Sequence, residues 1–180
     1  MGTPKELKLG KYFIALLSTE IDLLSAVEPD LRAVLGDIDG RSRILPWTTS
    51  HYYEREMGAG LLRRFLSFEL LLSPEILADI KLATQSIEAR YRRAPCDGGG
   101  RRVNLDPGYL EAGKVVLAST KNASHRIYLR CGIFAEATLL YFNAGFHGCA
   151  YTYPDYLWPQ TLAFFEACRA RYLAQLRPPG

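Results

Sequence analysis

The sequence has no apolar run that approaches the roughly 18 residues needed to cross a bilayer. Its start, MGTPKELKLGKYFIALL, lacks the order of basic, apolar and small-residue regions of a secretory signal peptide, because Glu6 and Lys8 interrupt it. Its four cysteines form no CxxC pair and no cysteine–histidine spacing of the zinc-finger type. We therefore expect a cytoplasmic protein with reduced thiols, and no membrane segment, structural zinc or disulfide framework.

The short motifs of several enzyme classes are also missing. The sequence has no GxSxG, and no GxGxxG follows its first predicted strand, which disfavours a serine hydrolase and a dinucleotide-binding fold. The net charge of +3 is too weak to indicate nucleic-acid binding through bulk electrostatics. With 180 residues, 48% of them hydrophobic, the chain is expected to form a single domain over 1–180.

The spacing of apolar residues predicts an α+β fold. Short apolar runs indicate strands at 11–18, 43–47, 64–71 and 102–105, and helical spacing indicates helices at 19–34 and 73–91. The order β-α-β-β-α-β over 11–105 is that of a ferredoxin-like core, in which two helices cover one face of an antiparallel sheet. Residues 106–180 are predicted to add a short helix at 109–120, a β-hairpin at 125–130 and 133–142, and a C-terminal helix at 157–176.

Five strings, in order along the chain, are similar to those of one bacterial family. They are HYYEREMG from residue 51, VNLDPGYL from 103, ASTKNASHRIYL from 118, GIFAEATLLY from 132 and TYPDY from 152. Together they resemble the domain of unknown function 4416 family, and the likeness covers essentially the whole chain. Members of that family are often labelled GTP-binding proteins, so the resemblance implies nucleotide binding as an expectation.

A phosphate loop would support that expectation. The string GYLEAGK, from Gly108 to Lys114, matches the first part of G-x-x-x-x-G-K-[ST]. Position 115 is valine, which has no hydroxyl to bind Mg²⁺, and Tyr109 and Glu111 are bulky or acidic where the loop would wrap phosphate. A helix is the simpler interpretation, so a genuine phosphate loop is disfavoured.

The predicted hairpin carries the catalytic hypothesis. If Cys131-Gly132 forms a two-residue turn, Ile127 pairs with Glu136 across the hairpin. Alternation then places His125 and Glu136 on one face as diagonal neighbours, and Arg126 on the other. A carboxylate beside an imidazole in an apolar setting is a candidate general acid–base pair. The alternatives are a hydrogen bond that only fixes the hairpin register, or a turn of another length that separates the two side chains.

A second group of residues is predicted to bind a ligand. The segment 104–108, NLDPG, is typical of a turn between a strand and a helix, where its polar side chains orient a ligand or serve only the turn. Lys121 lies on the loop that enters the hairpin, and its meeting with this turn would create a site for a phosphate-bearing or other anion. The predicted ligand-binding residues are Asn104, Asp106, Tyr109, Lys121, Arg126 and Asp155.

Two further patterns suggest other functions. Five arginines flank Gly98-Gly99-Gly100, where they would grip phosphates or simply keep an exposed loop solvated. His51 and Glu54 stand one helical turn apart, as in carboxylate-bridged metal sites, but the second copy that such sites need is not evident, so no metal site is predicted. The arginines are Arg90, Arg92, Arg93, Arg101 and Arg102.

The residues therefore predict a protein that binds or acts on a small anionic ligand, a nucleotide among the candidates. The alternative is a non-enzymatic interaction module that contacts a protein or RNA through the arginine-rich loop. Nucleic acid is the less favoured partner, and no membrane partner is expected. The sequence assigns no cofactor and leaves the reaction and the oligomeric state open.

Overall fold

The chain forms an α+β fold in a computed structural model that describes residues 2–3, 6–50, 53–94, 96 and 99–177. Within these residues, nine strands form one sheet: β1 (Gly10–Ser18), β2 (Ile38–Arg41), β3 (Leu45–Pro46), β4 (Leu62–Leu72), β5 (Val103–Glu111), β6 (Lys114–Ser119), β7 (Ile127–Arg130), β8 (Ile133–Phe142) and β9 (Gly145–Gly148). The sheet order is β2-β4-β1-β5-β6-β8-β7, with β3 on β4 and β9 on β8. Every pair of neighbouring strands is antiparallel.

Helices cover both faces of the sheet. Alternate residues of β1 point to opposite faces, and each set has its own helices. Ile14 and Leu16 pack with α1 (Leu23–Ala26), α2 (Glu28–Leu35) and α4 (Leu77–Arg90). Phe13 and Ala15 pack with α5 (Pro159–Gln175), whose Phe165 contacts several aromatic rings. The remaining helix, α3 (Glu54–Met57), packs through Met57 against a third, smaller cluster.

The prediction for the start of α4 is confirmed in its chemistry. Ser73 lies in an extended conformation, and its hydroxyl accepts a hydrogen bond from the backbone N–H of Glu75. Pro74 opens a single 3-10 turn that leads directly into α4. A capping hydroxyl followed by proline is a strong start signal because it satisfies one free N–H and removes another.

The predicted helix at 109–120 is wrong. This segment is the β5–β6 hairpin, in which Glu111 pairs with Lys114 around the two-residue turn Ala112-Gly113. Gly108 allows β5 to continue past residue 105 and to pair closely with β6. A Cβ atom there would lie 2.3 Å from the Val116 carbonyl oxygen and 2.4 Å from the Phe13 ring, so only glycine allows the neighbouring strand to approach. The segment that matches a phosphate loop therefore lies in the β5–β6 hairpin. The predicted turn at 104–108 is wrong, because these residues lie in β5.

The β7–β8 hairpin has the predicted turn but not the predicted register. Cys131 and Gly132 have φ values of 51° and 74°, as a tight turn between twisted strands requires. The register then shifts between Tyr128 and Arg130, so Ile127 pairs with Ala135 instead of Glu136. The bulge arises where every side chain of β7 is exposed, and no buried face imposes strict alternation.

Other elements differ in extent from their predictions. The predicted helix at 19–34 is found as α1 and α2, the predicted strand at 43–47 is found only as the two-residue strand β3, and β2 was not predicted. Strand β9, which contains His147, was not predicted. In the part of the chain that is described, no helix has the length and apolar character needed to span a bilayer.

Candidate functional site

A gap in the sheet separates the first half of β5 from the second half of β6. β5 pairs with β1 from Val103 to Leu110, but it pairs with β6 only from Gly108 to Glu111. Pro107 lies at the start of the gap and has no N–H to donate to a ladder. The two strands therefore separate at Pro107, although both remain in the same sheet.

Side chains from α4 replace the missing strand in this gap. The N–H of Leu105 donates to Glu88 Oε1 at 2.6 Å, and Lys81 Nζ donates to the Leu105 carbonyl at 3.0 Å. Lys81 also donates to Asp106 Oδ1 at 2.9 Å. A buried backbone group without a partner is costly, so these two side chains make the gap compatible with a folded sheet.

The hydrogen bonds continue from Asp106 toward α3. Asn104 Nδ2 donates to Asp106 Oδ2 at 2.5 Å, and Arg101 Nη1 donates to Asn104 Oδ1 at 2.6 Å. Arg101 also donates to both carboxylate oxygens of Glu56, each at 2.8 Å. The wall of the gap is therefore a connected chain of charged and amide groups.

Replacing Glu88 with glutamine is expected to change how stability depends on pH. Burial raises the pKa of the Glu88 carboxyl above its ordinary 4.5, and Lys81 and the Leu105 N–H offset only part of this. Such a group is fully stabilising below its unfolded pKa, and the contribution is lost as pH rises through the folded pKa. The wild type should therefore lose stability relative to E88Q as pH rises above 4.5, as measured by urea denaturation across a pH series.

Asp106→Asn supplies the control of opposite sign. Burial alone would raise the pKa of Asp106, but the charge and hydrogen bond of Lys81 bring it below the ordinary 3.8. The stability that this carboxylate contributes is present above the unfolded pKa and is lost as pH falls through the folded pKa. The wild type should therefore lose stability relative to D106N only in acid. If the stability difference from the wild type changed with pH in the same direction for E88Q and D106N, the opposite pKa shifts of Glu88 and Asp106 would be contradicted.

A cavity of about 460 Å³ opens in the gap, a size within the range of small-molecule sites. It reaches from α4 on one face of the sheet to the 3-10 turn Pro154–Tyr156 on the other. Aromatic rings and polar groups share its walls. The charged lining residues are the cations Arg63, Lys81, Arg101 and Lys121 and the carboxylates Glu56, Glu88, Asp106 and Asp155.

At one end of the cavity lie Arg63, Asp155 and Tyr156, which we call the inner cluster. The side chains of Arg63 and Asp155 are 6% and 2% exposed, and Arg63 Nε lies 2.8 Å from Asp155 Oδ2. The angles at this contact do not make it a hydrogen bond. Arg63 Nε and Nη1, Asp155 Oδ2 and the Tyr156 hydroxyl have no hydrogen-bond partner among the described residues. Buried polar groups nearly always have hydrogen-bond partners in native proteins, so four such atoms without a partner in one cluster are unusual.

The packing of Phe65 brings the inner cluster together. The Arg63 guanidinium carbon lies 5.7 Å from the centre of the Phe65 ring, and the Tyr156 ring packs edge-on against it at 5.3 Å. Burial raises the pKa of the Tyr156 phenol well above its ordinary value of 10, so the hydroxyl keeps its proton. The cluster therefore offers N–H and O–H donors beside a carboxylate acceptor.

The predicted pair His125 and Glu136 does meet, beside the cavity. His125 Nε2 lies 3.1 Å from Glu136 Oε2, and the His125 ring stacks on Tyr151 at 4.1 Å. The prediction that Arg126 faces away from Glu136 is wrong, because its Nε donates to the same oxygen at 2.6 Å. Residues 123–126 form a turn before β7, so strand alternation does not apply to Arg126.

Arg126 links this pair to the cavity wall. Its Nη1 donates to the Ser119 hydroxyl at 2.7 Å and to the Lys121 carbonyl at 2.9 Å, and its Nη2 donates to the Tyr153 hydroxyl at 2.9 Å. Ser119, Lys121 and Tyr153 all line the cavity. Glu136, whose side chain is fully buried, is thus first a counter-ion for Arg126. His125 is the member of the pair that reaches solvent, with its side chain 25% exposed.

A comparison with known protein families identifies the family of the chain. The family described as Domain of unknown function (DUF4416) matches residues 8–172, nearly the whole sequence. The chain belongs to the DUF4416 family. No curated protein and no solved structure matches it. The resemblance inferred from the sequence strings is therefore confirmed, and the chemistry of this DUF4416 protein has to be argued from its own residues.

The structure brings most of the predicted site residues to one place. Four of them line the cavity, and three others form the adjoining cluster of Arg126 with His125 and Glu136. Tyr109 does not line the cavity; it pairs with Val116 in the β5–β6 ladder and packs near Tyr12, with ring centres 6.0 Å apart. The four lining residues are Asn104, Asp106, Lys121 and Asp155.

Four arginines near the glycine-rich loop are held by other groups of the DUF4416 chain. Arg101 binds Glu56, and Arg102 donates to both oxygens of Glu20, at 2.9 and 2.5 Å. Arg90 lies 3.0 Å from Asp30, and Arg93 donates to the Met57 carbonyl at 3.2 Å. Three of these contacts are with carboxylates, which neutralise much of the positive charge that the loop would offer to an acidic partner. Gly98 lies outside the described residues.

The metal hypothesis for His51 and Glu54 concerns a segment that is only partly described, because His51 lies outside the described residues. Among those that are described, no group of three or more His, Cys, Asp or Glu side chains is placed to hold a metal ion.

Sequence reasoning missed Arg63, Lys81 and Glu88. One signal was present in α4, where Lys81 and Glu88 directly follow the apolar residues Ile80 and Ile87. Their separation of seven residues, two helical turns, puts both on one face, and both are buried there. Two charged residues in line on a buried face indicate a shared polar partner, which is the backbone of Leu105. Arg63 carried no such signal.

Proposed function

We propose that this DUF4416 protein binds a small anionic ligand, such as a nucleotide or another phosphate-bearing metabolite, in the cavity between β5 and β6. The observation that supports this most strongly is Arg63, a buried guanidinium in the cavity wall with two nitrogen atoms lacking hydrogen-bond partners among the residues described. Guanidinium groups match phosphate and carboxylate oxygens in geometry and charge. A bound anion would satisfy the free N–H groups of Arg63.

The other predicted residues have distinct roles in this proposal. Lys121 adds positive charge at the cavity wall, and Arg126 fixes the loop that carries it through the Lys121 carbonyl. Asn104 and Asp106 shape the wall, because both are already hydrogen-bonded to neighbours. If the ligand is turned over, His125 transfers the proton, and Glu136 orients its ring.

The proposal extends to fold type and location. The partial order β2-β4-β1-β5 and the helices between these strands agree with a ferredoxin-like core over 11–105, to which the remaining strands are added. A bacterial cytoplasmic location agrees with four cysteines that are free thiols.

Thermal unfolding in the presence of phosphate-bearing compounds tests the binding function. A panel of nucleotides and sugar phosphates should include one that raises the melting temperature by about 5–10 °C at a hundredfold excess over its dissociation constant. Arg63→Lys keeps the charge but loses the guanidinium fork, so it should weaken that ligand about tenfold, equivalent to about 1.4 kcal/mol.

Arg130→Lys is the matched control, because Arg130 is exposed and pairs with Asp79 on the surface. It should leave the ligand-induced shift unchanged. A panel without any shift, or equal losses in R63K and R130K, would contradict binding at the inner cluster.

A further inference from the structure

The inner cluster also carries information about the ligand. Resting on the function proposed above, we infer that the group bound there is a phosphate that keeps one proton, and that Asp155 accepts this proton in a hydrogen bond. The cluster would thereby select a protonated phosphate over a sulfate of the same shape and charge.

Arg63 brings a positive charge to the inner cluster, and Asp155 brings a negative one. Arg63 and Asp155 are both buried, and their closest atoms lie 2.8 Å apart without forming a hydrogen bond. Arg63 therefore retains N–H donors for a ligand, and Asp155 retains a lone pair on Oδ2. An anion drawn to Arg63 must also approach this carboxylate.

An anion that binds beside Asp155 must carry a proton that it can donate to this carboxylate. A fully ionised oxyanion would place its oxygen lone pairs against those of Asp155, which is repulsive in a buried site. A phosphate with one P–O–H group avoids this, because its hydroxyl donates to Asp155 Oδ2 while its other oxygens accept from Arg63. The Tyr156 hydroxyl, also without a partner among the described residues, donates to a remaining oxygen. One protonated phosphate thus matches every unsatisfied atom of the inner cluster.

The cavity also has room for the rest of a larger ligand. The cavity volume of about 460 Å³ is much larger than one phosphate group. A phosphate monoester fits this arrangement, since its organic part occupies the remaining space and its phosphate, with a second pKa of about 6, can bind in the form that carries one proton. A phosphate diester lacks that proton at neutral pH and is expected to bind poorly.

Calorimetric titration with two ester ligands tests the inference. Phenyl phosphate and phenyl sulfate are compared at about pH 6, near the second pKa of a phosphate monoester. About half of the phosphate ester then carries one proton and the same single negative charge as the sulfate ester, which carries no proton. The wild type should bind phenyl phosphate at least about tenfold more tightly, because the sulfate leaves Asp155 unpaired. Inorganic phosphate and sulfate form a second arm, which distinguishes an ester site from a site for the free ion.

Asp155→Asn should bring the phosphate-to-sulfate affinity ratio toward one, because an amide can donate to sulfate. Asp79→Asn is the control: its carboxylate is exposed, pairs with Arg130 on the surface and does not line the cavity, so the ratio should stay as in the wild type.

The outcomes separate this inference from the function on which it rests. Equal affinity for the two esters in the wild type would overturn the role of Asp155 and leave anion binding intact. A wild-type preference that D155N retains would also overturn it. If neither the esters, the free ions nor the nucleotides bind, the proposed function itself fails. The wild-type ratio requires no variant, so it remains decisive even if D155N does not fold.

Discussion

Lys81→Met should lower the free energy of unfolding by about 3–5 kcal/mol, the usual cost of removing one partner from a buried ion pair. The methionine has similar length but no charge, so Asp106 and the Leu105 carbonyl both lose the donor that lies within 3.0 Å of each. The Lys81 side chain is only 6% exposed, so water does not replace it freely. The melting temperature should fall by about 6–20 °C, as measured by differential scanning calorimetry.

Lys114→Met is the control for this loss. Lys114 pairs with Glu111 across the β5–β6 turn, but its side chain is 41% exposed, and such surface pairs contribute at most about 1 kcal/mol. Similar losses in K81M and K114M would mean that the gap in the sheet does not depend on α4 for its stability.

Glu136→Ala should cost a comparable 3–5 kcal/mol or so. The change leaves Arg126, whose side chain is 5% exposed, without the carboxylate that lies 2.6 Å from its Nε. It also removes an acceptor for the Thr138 hydroxyl at 3.1 Å. Denaturant unfolding of E136A and the wild type gives the difference directly.

Glu111→Ala is the matched surface variant, and its cost should stay below about 1 kcal/mol. Glu136→Gln separates structure from chemistry, because glutamine keeps an acceptor oxygen for Arg126 but cannot act as a carboxylate. A stable E136Q protein that turns over a ligand as fast as the wild type would mean that the Glu136 carboxylate is not needed to orient His125 and has a structural role alone.

The sequence predicted those elements whose signals are local. The capping serine and the proline before α4 depend only on neighbouring atoms, and so does the two-residue turn at Cys131-Gly132. The β5–β6 hairpin was missed because its segment also satisfies helical spacing, and what decides for strands is nonlocal. Gly108 must lie directly against Phe13 and Val116, a contact that no short window of sequence contains.

The candidate site shows the same division. His125 and Glu136 were paired on hairpin geometry, and they do meet, but through a turn and a shared Arg126 instead of the expected register. Arg63 could not be found because its partner, Asp155, lies far away in the sequence and reaches it only when the sheet has formed. The alternation of apolar and polar residues does not reveal a buried arginine when its neighbours in the sequence are also charged or apolar.

In the middle of the sheet, β5 and β6 are joined by a short ladder, which we call the seam. β5 shares eight residue pairs with β1 and β6 shares six with β8, but β5 and β6 share only four. The seam divides the sheet into two blocks, one formed by β1 to β5 and the other by β6 to β9, each with its own ladders. The cavity lies along this seam and is lined by residues of both blocks, so a ligand bound there would link the two blocks to each other.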